Sequence, residues 1–448
     1  MASSAAAMTL YRLVFFVPES HLAACKTAVF AAGAGRYPDS NYTECCWTTD
    51  GTGQFRPGAA ANPHLGAVGQ LEHVREVRVE TPCLGKEVAR KAVEALKTSQ
   101  KAFDLYQSGD KVWRKEDLAD IERQLEDASA VSAFTLRRID GTTLKVKNPM
   151  FGVENPIWEP IVRYREYWAL VDCRPKEPAE TYNCSYVIEW RNASERLYRG
   201  PHQGSEALFH SWRDKWNTSA TCAALRGCIT NLAVSSLLPP AKFEGMINPI
   251  KILCFGLGDL NFKGPNWWYI QNRQRPIDEQ ETDISVIENP LVHHAIALTI
   301  RETVQDVMTS NQAIIQRQPD TRLLTQDPQY TPETISLLAR AAPEFEVVGS
   351  RGASGFAELD HGCIVFAPFV NAPLNQIIAD LARPLAIITP AFGKDIIFDQ
   401  RGRPCGNPES PRSREMWKEY DVQDFPLVEA EKDVVKGNLW QLKIYTRR

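Results

Sequence analysis

Residues 11–17, Tyr-Arg-Leu-Val-Phe-Phe-Val, form an apolar run rich in β-branched and aromatic residues and predict a strand. Pro18-Glu19-Ser20 then opens a helix in which Leu22, Cys25, Ala28 and Val29 recur at helical spacing. Gly33-Ala34-Gly35 ends it. Residues 42–47 predict a second strand, Gly51-Thr52-Gly53 a turn, and Gln54-Phe55-Arg56 the return. Val74, Val77 and Val79 alternate with polar residues and predict another strand over 74–79. Val88, Ala92, Ala95 and Leu96 share one side of a helix over 86–97. The order is β-α-β-β-α.

The stretch from 250 to 395 repeats a different rhythm. Strands are predicted at 250–255, 321–325, 345–348, 363–366 and 385–388, separated by helices at 292–308, from Pro332, and at 374–381. The segment with Trp267-Trp268 reads as a polar loop. Strands alternating with helices imply a mostly parallel sheet covered on both faces. Between these two parts the pattern is less regular. Leu118, Ile121, Leu125 and Ala128 form one stripe of an amphipathic helix over 114–128, and Asp140-Gly141 suggests a hairpin within 135–147. Residues 148–160 read as a Pro-punctuated loop and 182–190 as a strand. Residues 206–232 are helical, with Trp212 and Trp216 at packing positions. The fold class expected is α/β plus α+β. The first part is a ferredoxin-like βαββα module and the last a Rossmann-like, mostly parallel sheet. The expected domains are 1–100, a mixed helical and hairpin region over 101–240, the α/β part at 241–395, and a Pro- and charge-rich exposed extension over 396–448, with a terminal strand at 439–445.

Composition narrows the classes without naming an activity. The 448 residues carry 51 Lys+Arg and 55 Asp+Glu, a net charge of −4, with 44% hydrophobic and 24% charged residues. That is the profile of a folded globular chain, and it gives no electrostatic footprint for nucleic acid. The first apolar run stops at Pro18, and no apolar stretch reaches the length of a membrane span. Cytosol or nucleus is the expected location. Eleven Cys, an odd and scattered count, argue against a disulfide framework. No C-x-x-C pair occurs, and Cys45-Cys46, Cys222/Cys228 and His293-His294 are poorly spaced as chelators, so no metal site is expected. The four Asn-x-Ser/Thr matches, at 41, 183, 192 and 217, are read as chance.

Two resemblances become specific at this point. Gly33-Ala-Gly-Arg-Tyr37, Asn41-Tyr-Thr-Glu-Cys-Cys-Trp47, Gly51-Thr-Gly-Gln-Phe-Arg-Pro57, Asn62-Pro63, Gly66-x-x-Gly69 and Glu72-x-x-x-Glu76-x-Arg78-x-Glu80-Thr81 follow one another over about 9–97. This segment resembles the small PII/CutA-like domain of the Nif-three (NGG-interacting-factor-three-like) family. The resemblance implies a trimeric, signal-protein-like module and a homo-oligomer through the N-terminal domain. The dimetal site of that family lies in other domains, so it supplies no metal ligand here. The family's closing strand is not matched, since this chain reads Thr98-Ser-Gln-Lys-Ala-Phe-Asp-Leu-Tyr106. Farther on, Cys254-Phe-Gly-Leu-Gly-Asp259, His294-Ala-Ile-Ala-Leu298, Gln326-Asp-Pro-Gln-Tyr-Thr331, Val365-Phe-Ala-Pro-Phe369 and Leu374-Asn-Gln-Ile-Ile378 resemble the SRR-like (sensitivity-to-red-light-reduced) family. That resemblance implies a regulatory role, in circadian and light signalling or haem-biosynthesis regulation. The family's usual Pro-His-Cys is replaced by Pro368-Phe369-Val370.

The candidate chemistry gathers at the strand ends. Gly256 and Gly258 follow a strand, as in dinucleotide folds, but the third glycine of the motif is replaced by Asn261 and the phosphate cradle is incomplete. Asp327 stands where a ribose-binding acid would sit, or serves as a turn-forming Asp-Pro. Gly256, Gly258, Asp259, His294, Asp327, Pro368 and Asn371 are the expected lining of a crevice for a small or nucleotide-like molecule, of no identified cofactor type. In the N-terminal module the candidates are Glu44, Gly51, Gly53, Arg56, Arg78 and Glu80. The two glycines would offer φ > 0 for close ligand approach, or serve only a tight hairpin; Arg78 and Glu80 share a strand face and could simply pair. No Ser/His/Asp or paired-carboxylate spacing points to catalysis. A ligand-sensing regulator is therefore expected, with an enzyme using a nucleotide-type cofactor, such as a methyltransferase or oxidoreductase, as the alternative.

Overall fold

The computed structural model describes residues 9–19, 22–58, 67–171, 179–193, 202–237, 249–264, 266–311, 321–390, 397–398, 404–405, 407–435 and 437–448. The motif residues Asn62, Pro63 and Gly66 lie outside these. The chain divides into two units. One comprises Met1–Val112, Arg137–Leu144 and Arg165–Ser185; the other comprises Trp113–Leu136, Lys145–Tyr164 and Tyr186–Arg448.

The first unit follows the expected order: β1 (Leu10–Val17), α1 (Leu22–Ala31), β2 (Trp47–Phe55), β3 (Glu72–Leu84) and α2 (Lys86–Gln107). Its sheet is antiparallel, in the order β1-β3-β2. Period-two alternation sends Val17, Val77 and Val79 into the core with Cys25 of α1, while Cys83 joins Val29 and Ala92 in a second cluster. The alternate positions form the other face, where Phe16 is 63% and Trp47 69% exposed. Two expectations are corrected here. The second strand is Trp47–Phe55 and not residues 42–47, of which 42–46 carry no strand pairing. Gly51 and Gly53 make no turn: β2 runs straight through them, opposite Glu76 and Val74, and neither has a positive φ. A Cβ on Gly53 would meet a carboxylate oxygen of Glu76 at 2.4 Å, a flexible side-chain end that can swing aside. Thr98–Tyr106, the stretch that departs from the family ending, continues α2.

The second unit is built on a seven-stranded sheet. After α3 (Lys115–Glu126) come the paired strands β4 (Trp158–Tyr164) and β5 (Tyr186–Asn192), so β4 begins inside what reads as loop. The helical stretch near 206–232 is two helices, α4 (Ser205–Asn217) and α5 (Ala220–Leu237). Trp216 is buried and its Nε1–H donates to the Thr299 hydroxyl at 2.9 Å, a packing role. Then follow β6 (Ile250–Phe255), α6 (Asn266–Gln274), α7 (Ser285–Ser310), β7 (Thr321–Gln326), α8 (Pro332–Ala341), β8 (Phe345–Val347), α9 (Ser354–Ala357), β9 (Ile364–Phe366), α10 (Leu374–Leu381), β10 (Ala386–Pro390), α11 (Pro411–Trp417), β11 (Tyr420–Asp424) and β12 (Leu442–Arg447). The Trp267-Trp268 segment is thus helical rather than loop. The sheet order is β8-β7-β6-β9-β10-β12-β11; the first five strands are parallel and the last two antiparallel. Ile252, Leu323, Ile364, Phe366, Ala386 and Ile388 from these strands are fully buried, as both-face coverage requires. The region read as an exposed extension instead adds β11 and β12 to this sheet. β12 sits inside it, between β10 and β11, and not at the edge.

Candidate functional site

The chain starts its parallel sheet at β6, moves outward through β7 and β8 on one side, then returns to lay β9 and β10 on the other. The loops after β6 and β9 therefore diverge at neighbouring strands, and a crevice forms outside their carboxyl ends. A cavity of about 730 Å³ lies there. Its floor is Phe255–Gly258 after β6, Gln326–Gln329 after β7 and Pro368–Ala372 after β9; β4 and β5 supply Trp158, Tyr164, Trp190 and Arg191. Five of the seven expected residues line it: Gly256, Gly258, Asp327, Pro368 and Asn371. Asp259 and His294 lie behind the wall.

The glycines serve the protein before any ligand. Gly256 takes φ +68, and a Cβ on it would stand 1.7 Å from the Phe369 carbonyl oxygen. Gly258 takes φ +90, with the Pro290 ring 2.7 Å from where its Cβ would be. Their N–H groups are engaged as well, donating to the Gln326 carbonyl at 3.2 Å and to Asp327 Oδ2 at 2.8 Å. Asp327 Oδ1 accepts from the Gln329 N–H at 2.9 Å. Asp259, across the loop, accepts from the Thr331 N–H at 2.6 Å and the Asn261 N–H at 2.8 Å. The two aspartates thus clasp each other's loops. Asp327 after β7 holds the backbone after β6, and Asp259 after β6 holds the backbone after β7. Asp259→Ala or Asp327→Ala should each cost about 2–3 kcal/mol of stability, because buried donors lose a charged acceptor. Urea unfolding of both variants and the double variant should show about 1 kcal/mol of coupling, since the bonds span the same two loops. Additive losses would show two separate turns rather than a clasp.

The histidines are also committed. His294 is fully buried; its Nδ1 lies 2.7 Å from the Pro290 carbonyl and its Nε2 2.8 Å from the Tyr330 hydroxyl, which in turn meets Thr325 Oγ1 at 2.9 Å. This bonding assigns the proton to Nδ1 and leaves Nε2 to accept from Tyr330. Burial pulls the pKa down to about 3, so the ring is neutral. His293 lines the cavity with Nε2 at 2.9 Å from the Gly437 carbonyl and Nδ1 at 3.3 Å from that of Leu257, and burial lowers its pKa too. Arg191 is held by the Pro328 carbonyl and by Glu159 at 3.2 Å, with its charge disfavoured by desolvation.

Glu122 is a residue that sequence reading missed. It is 2% exposed and accepts backbone N–H bonds from Arg351 at 2.6 Å, Ala353 at 2.7 Å and Ser354 at 3.2 Å, which fixes the segment bearing Gly352 at the cavity wall. Burial raises its pKa. The signal was present: Glu122 lies on the same helical stripe as Leu118, Ile121 and Leu125.

The N-terminal candidates are not brought together. Arg78 and Glu80 pair at 2.7 Å on the open sheet face, with Arg12 3.5 Å from the same carboxylate. Arg56 donates to the Gly69 carbonyl. Glu44, at φ +60, borders a separate cleft against α1. Among the described residues no group of three His, Cys, Asp or Glu is placed to hold a metal, and no helix is long and apolar enough to cross a membrane.

No family model matches the chain. Proteins named GTP cyclohydrolase 1 type 2 homolog are similar over part of it. That of Mycobacterium leprae is 40% identical over 101 residues, 22% of this chain and 26% of the relative. That of Halalkalibacterium halodurans is 38% identical over 102 residues, 22% and 27% of the two chains. That of Bacillus subtilis is 35% identical over 101 residues, 22% and 26%. A solved Bacillus cereus protein related to NIF3 shares 36% identity over 20% of this chain and 22% of its own, with a TM-score of 0.17. The chain spans about a quarter of the length of the curated relatives it matches. Roughly a hundred residues of it, about a fifth of its length, are therefore similar to part of the proteins named GTP cyclohydrolase 1 type 2 homolog, in a chain whose described residues form a mixed α/β structure.

Proposed function

We propose that the protein is a ligand-binding regulator whose second unit, a Rossmann-like domain of SRR-like type, takes up a small molecule in the cavity at its strand ends. The observation that carries this reading is the 730 Å³ cavity at the place where strand order reverses, where such sheets hold their ligands. The titratable groups beside it support binding over catalysis. Asp259, Asp327 and His294 spend their polar atoms on the protein itself, and His293, the one histidine of the pair at the cavity, has no described carboxylate partner, which leaves no poised acid–base pair among them. The first unit, of ferredoxin-like, PII/CutA-like type, supplies assembly into a homo-oligomer, a reading supported by the uncovered aromatic face with Phe16 and Trp47. A cytoplasmic or nuclear location goes with this reading, with no nucleic-acid partner.

The alternative, an enzyme using a nucleotide-type cofactor, draws support from Gly256 and Gly258 in left-handed backbone directly after the first parallel strand, with an acid after the second. Thermal-shift titration of the full chain with ATP, GTP, S-adenosylmethionine, NAD(P) and haem decides between them. Phe369 is 77% exposed and Asn371 is exposed, and both line the cavity, so Phe369→Ala and Asn371→Ala should keep the unliganded Tm. A rise of several degrees with one compound, lost in both variants, is the expected result. A rise that survives both variants would remove the cavity from the proposal. Turnover of the bound compound would favour the enzyme.

A further inference from the structure

The first unit holds its own cavity, of about 500 Å³, which the reading above does not use. One wall is α1, through Leu22, Lys26, Thr27 and Phe30; the other is the loop that follows, through Arg36, Thr43 and Glu44. The loop is pinned, not draped. Gly35 takes φ +78, and a Cβ there would come within 2.8 Å of the Phe30 ring and 2.9 Å of the Cys45 nitrogen. The Gly35 N–H donates to the Pro82 carbonyl at 2.7 Å, the Cys45 N–H donates to the Gly35 carbonyl at 2.9 Å, and the Thr81 hydroxyl donates to the Cys45 carbonyl at 2.9 Å. These bonds tie both ends of the loop to β3 and to each other, which holds the loop wall of the cleft in place.

Its charges are unspent. Lys26 is half-buried, yet neither it nor Arg36 has a hydrogen bond or ion pair with any described residue. Elsewhere in the same unit Arg12, Arg78, Arg90 and Lys101 have carboxylate partners. Glu44, an acid bordering the cleft, pairs with neither cation. The first turn of α1 carries no acidic residue. Two cations and two threonine hydroxyls, set beside Leu22 and Phe30, form a surface with one end for an oxyanion and the other for an apolar body.

We propose that this cleft binds a small phosphate monoester, with Lys26 and Arg36 holding the phosphoryl oxygens, Thr27 and Thr43 donating hydroxyl bonds, and Phe30 and Leu22 packing on the organic group. Glu44 opposes the ligand's charge and limits its affinity.

Phenyl phosphate, inorganic phosphate and benzoate are the probes, titrated calorimetrically into the full chain at low salt. Phenyl phosphate should bind about tenfold more tightly than inorganic phosphate, because only it reaches the apolar wall. It should also exceed benzoate, which carries a single charge. Lys26→Gln and Arg36→Gln should each weaken phenyl phosphate by about tenfold or more. Their Tm should not move, since neither side chain has a partner to lose. Glu44→Gln should tighten binding severalfold. Absence of binding at millimolar phenyl phosphate overturns the proposal, as does binding indifferent to both Lys26→Gln and Arg36→Gln. Binding lost instead in Phe369→Ala would assign the ligand to the other unit's cavity, which overturns this proposal and leaves the earlier one standing.

Discussion

Gly256→Ala is expected to be the most damaging single-methyl change in the second unit. The added Cβ would lie 1.7 Å from the Phe369 carbonyl oxygen, and the backbone at φ +68 is one that L side chains avoid. Backbone cannot swing aside as a flexible side chain can, so the loops after β6 and β9 must separate. Overpacking and left-handed strain together put the cost at about 3–5 kcal/mol. In a unit this large that corresponds to a Tm lower by about 10 °C. Gly227→Ala is the control. Gly227 lies inside α5 with nothing within 4 Å of its would-be Cβ, and helix propensity there favours Ala by up to about 1 kcal/mol. Differential scanning calorimetry should show the two substitutions moving Tm in opposite directions. A Gly256→Ala protein with unchanged Tm would mean that the two loops do not touch.

The second large effect is acid lability through His294. Its pKa falls from an ordinary 6.5 to about 3 on burial, so the unfolded chain takes up the proton well before the folded one. Stability contributed by the neutral ring is complete above the unfolded value and is lost as pH drops through the window from 6.5 toward 3. Between pH 6.5 and 5 the loss attributable to this one ring is about 2 kcal/mol, from 1.36 kcal/mol per unit. His294→Phe removes the titration along with the bonds to Pro290 and Tyr330. It should be destabilised by about 2–3 kcal/mol at pH 7 but show a flatter decline toward pH 5. Urea midpoints of both proteins across that range measure the difference. Parallel declines would place the acid sensitivity elsewhere.

Much of the architecture was legible where local pattern and tertiary context agree. The β-α-β-β-α opening follows from period-two and period-3.6 spacing, and the parallel strands from short apolar runs such as Ile250–Phe255. Failures came where context overrode local preference. Gly51 and Gly53 read as a turn because glycine permits φ > 0, but both are paired in register along β3, opposite Glu76 and Val74. Ser285, Glu288, Asn289 and Pro290 hid the first turns of α7, because the polar residues and the proline look like loop. Pro and charge density around 396–414 suggested an exposed extension, whereas β11 and β12 are set by pairing with residues far away in the chain.

The candidate crevice was half legible. Gly256, Gly258, Asp327, Pro368 and Asn371 sit at strand ends, and strand ends can be read from a pattern of alternation. Trp158, Tyr164, Trp190 and Arg191 reach the same cavity from strands about 60–100 residues earlier than β6, a relation no spacing rule encodes. The acidic residues are legible as strand-end groups, and Asp327 does line the cavity. What the pattern does not encode is that oxygens of Asp259 and Asp327 accept backbone N–H bonds from each other's loops.

The β11–β12 hairpin covers what would otherwise be the rim of the parallel sheet. Ala386, Ile387 and Ile388 of β10 are completely buried, and β12 supplies their hydrogen-bond partners on that side. If the hairpin peeled away, β10 would present an apolar, unpaired strand that another molecule could extend by its own β-structure. In its place the fold shows solvent β11, exposed from 421 to 424 and lined by the ion pairs Asp421–Arg448 and Asp424–Lys443, charged side chains that discourage edge-to-edge stacking. The hairpin is thus a guard against self-association of the sheet, and loosening it would turn a paired strand into a seed for aggregation.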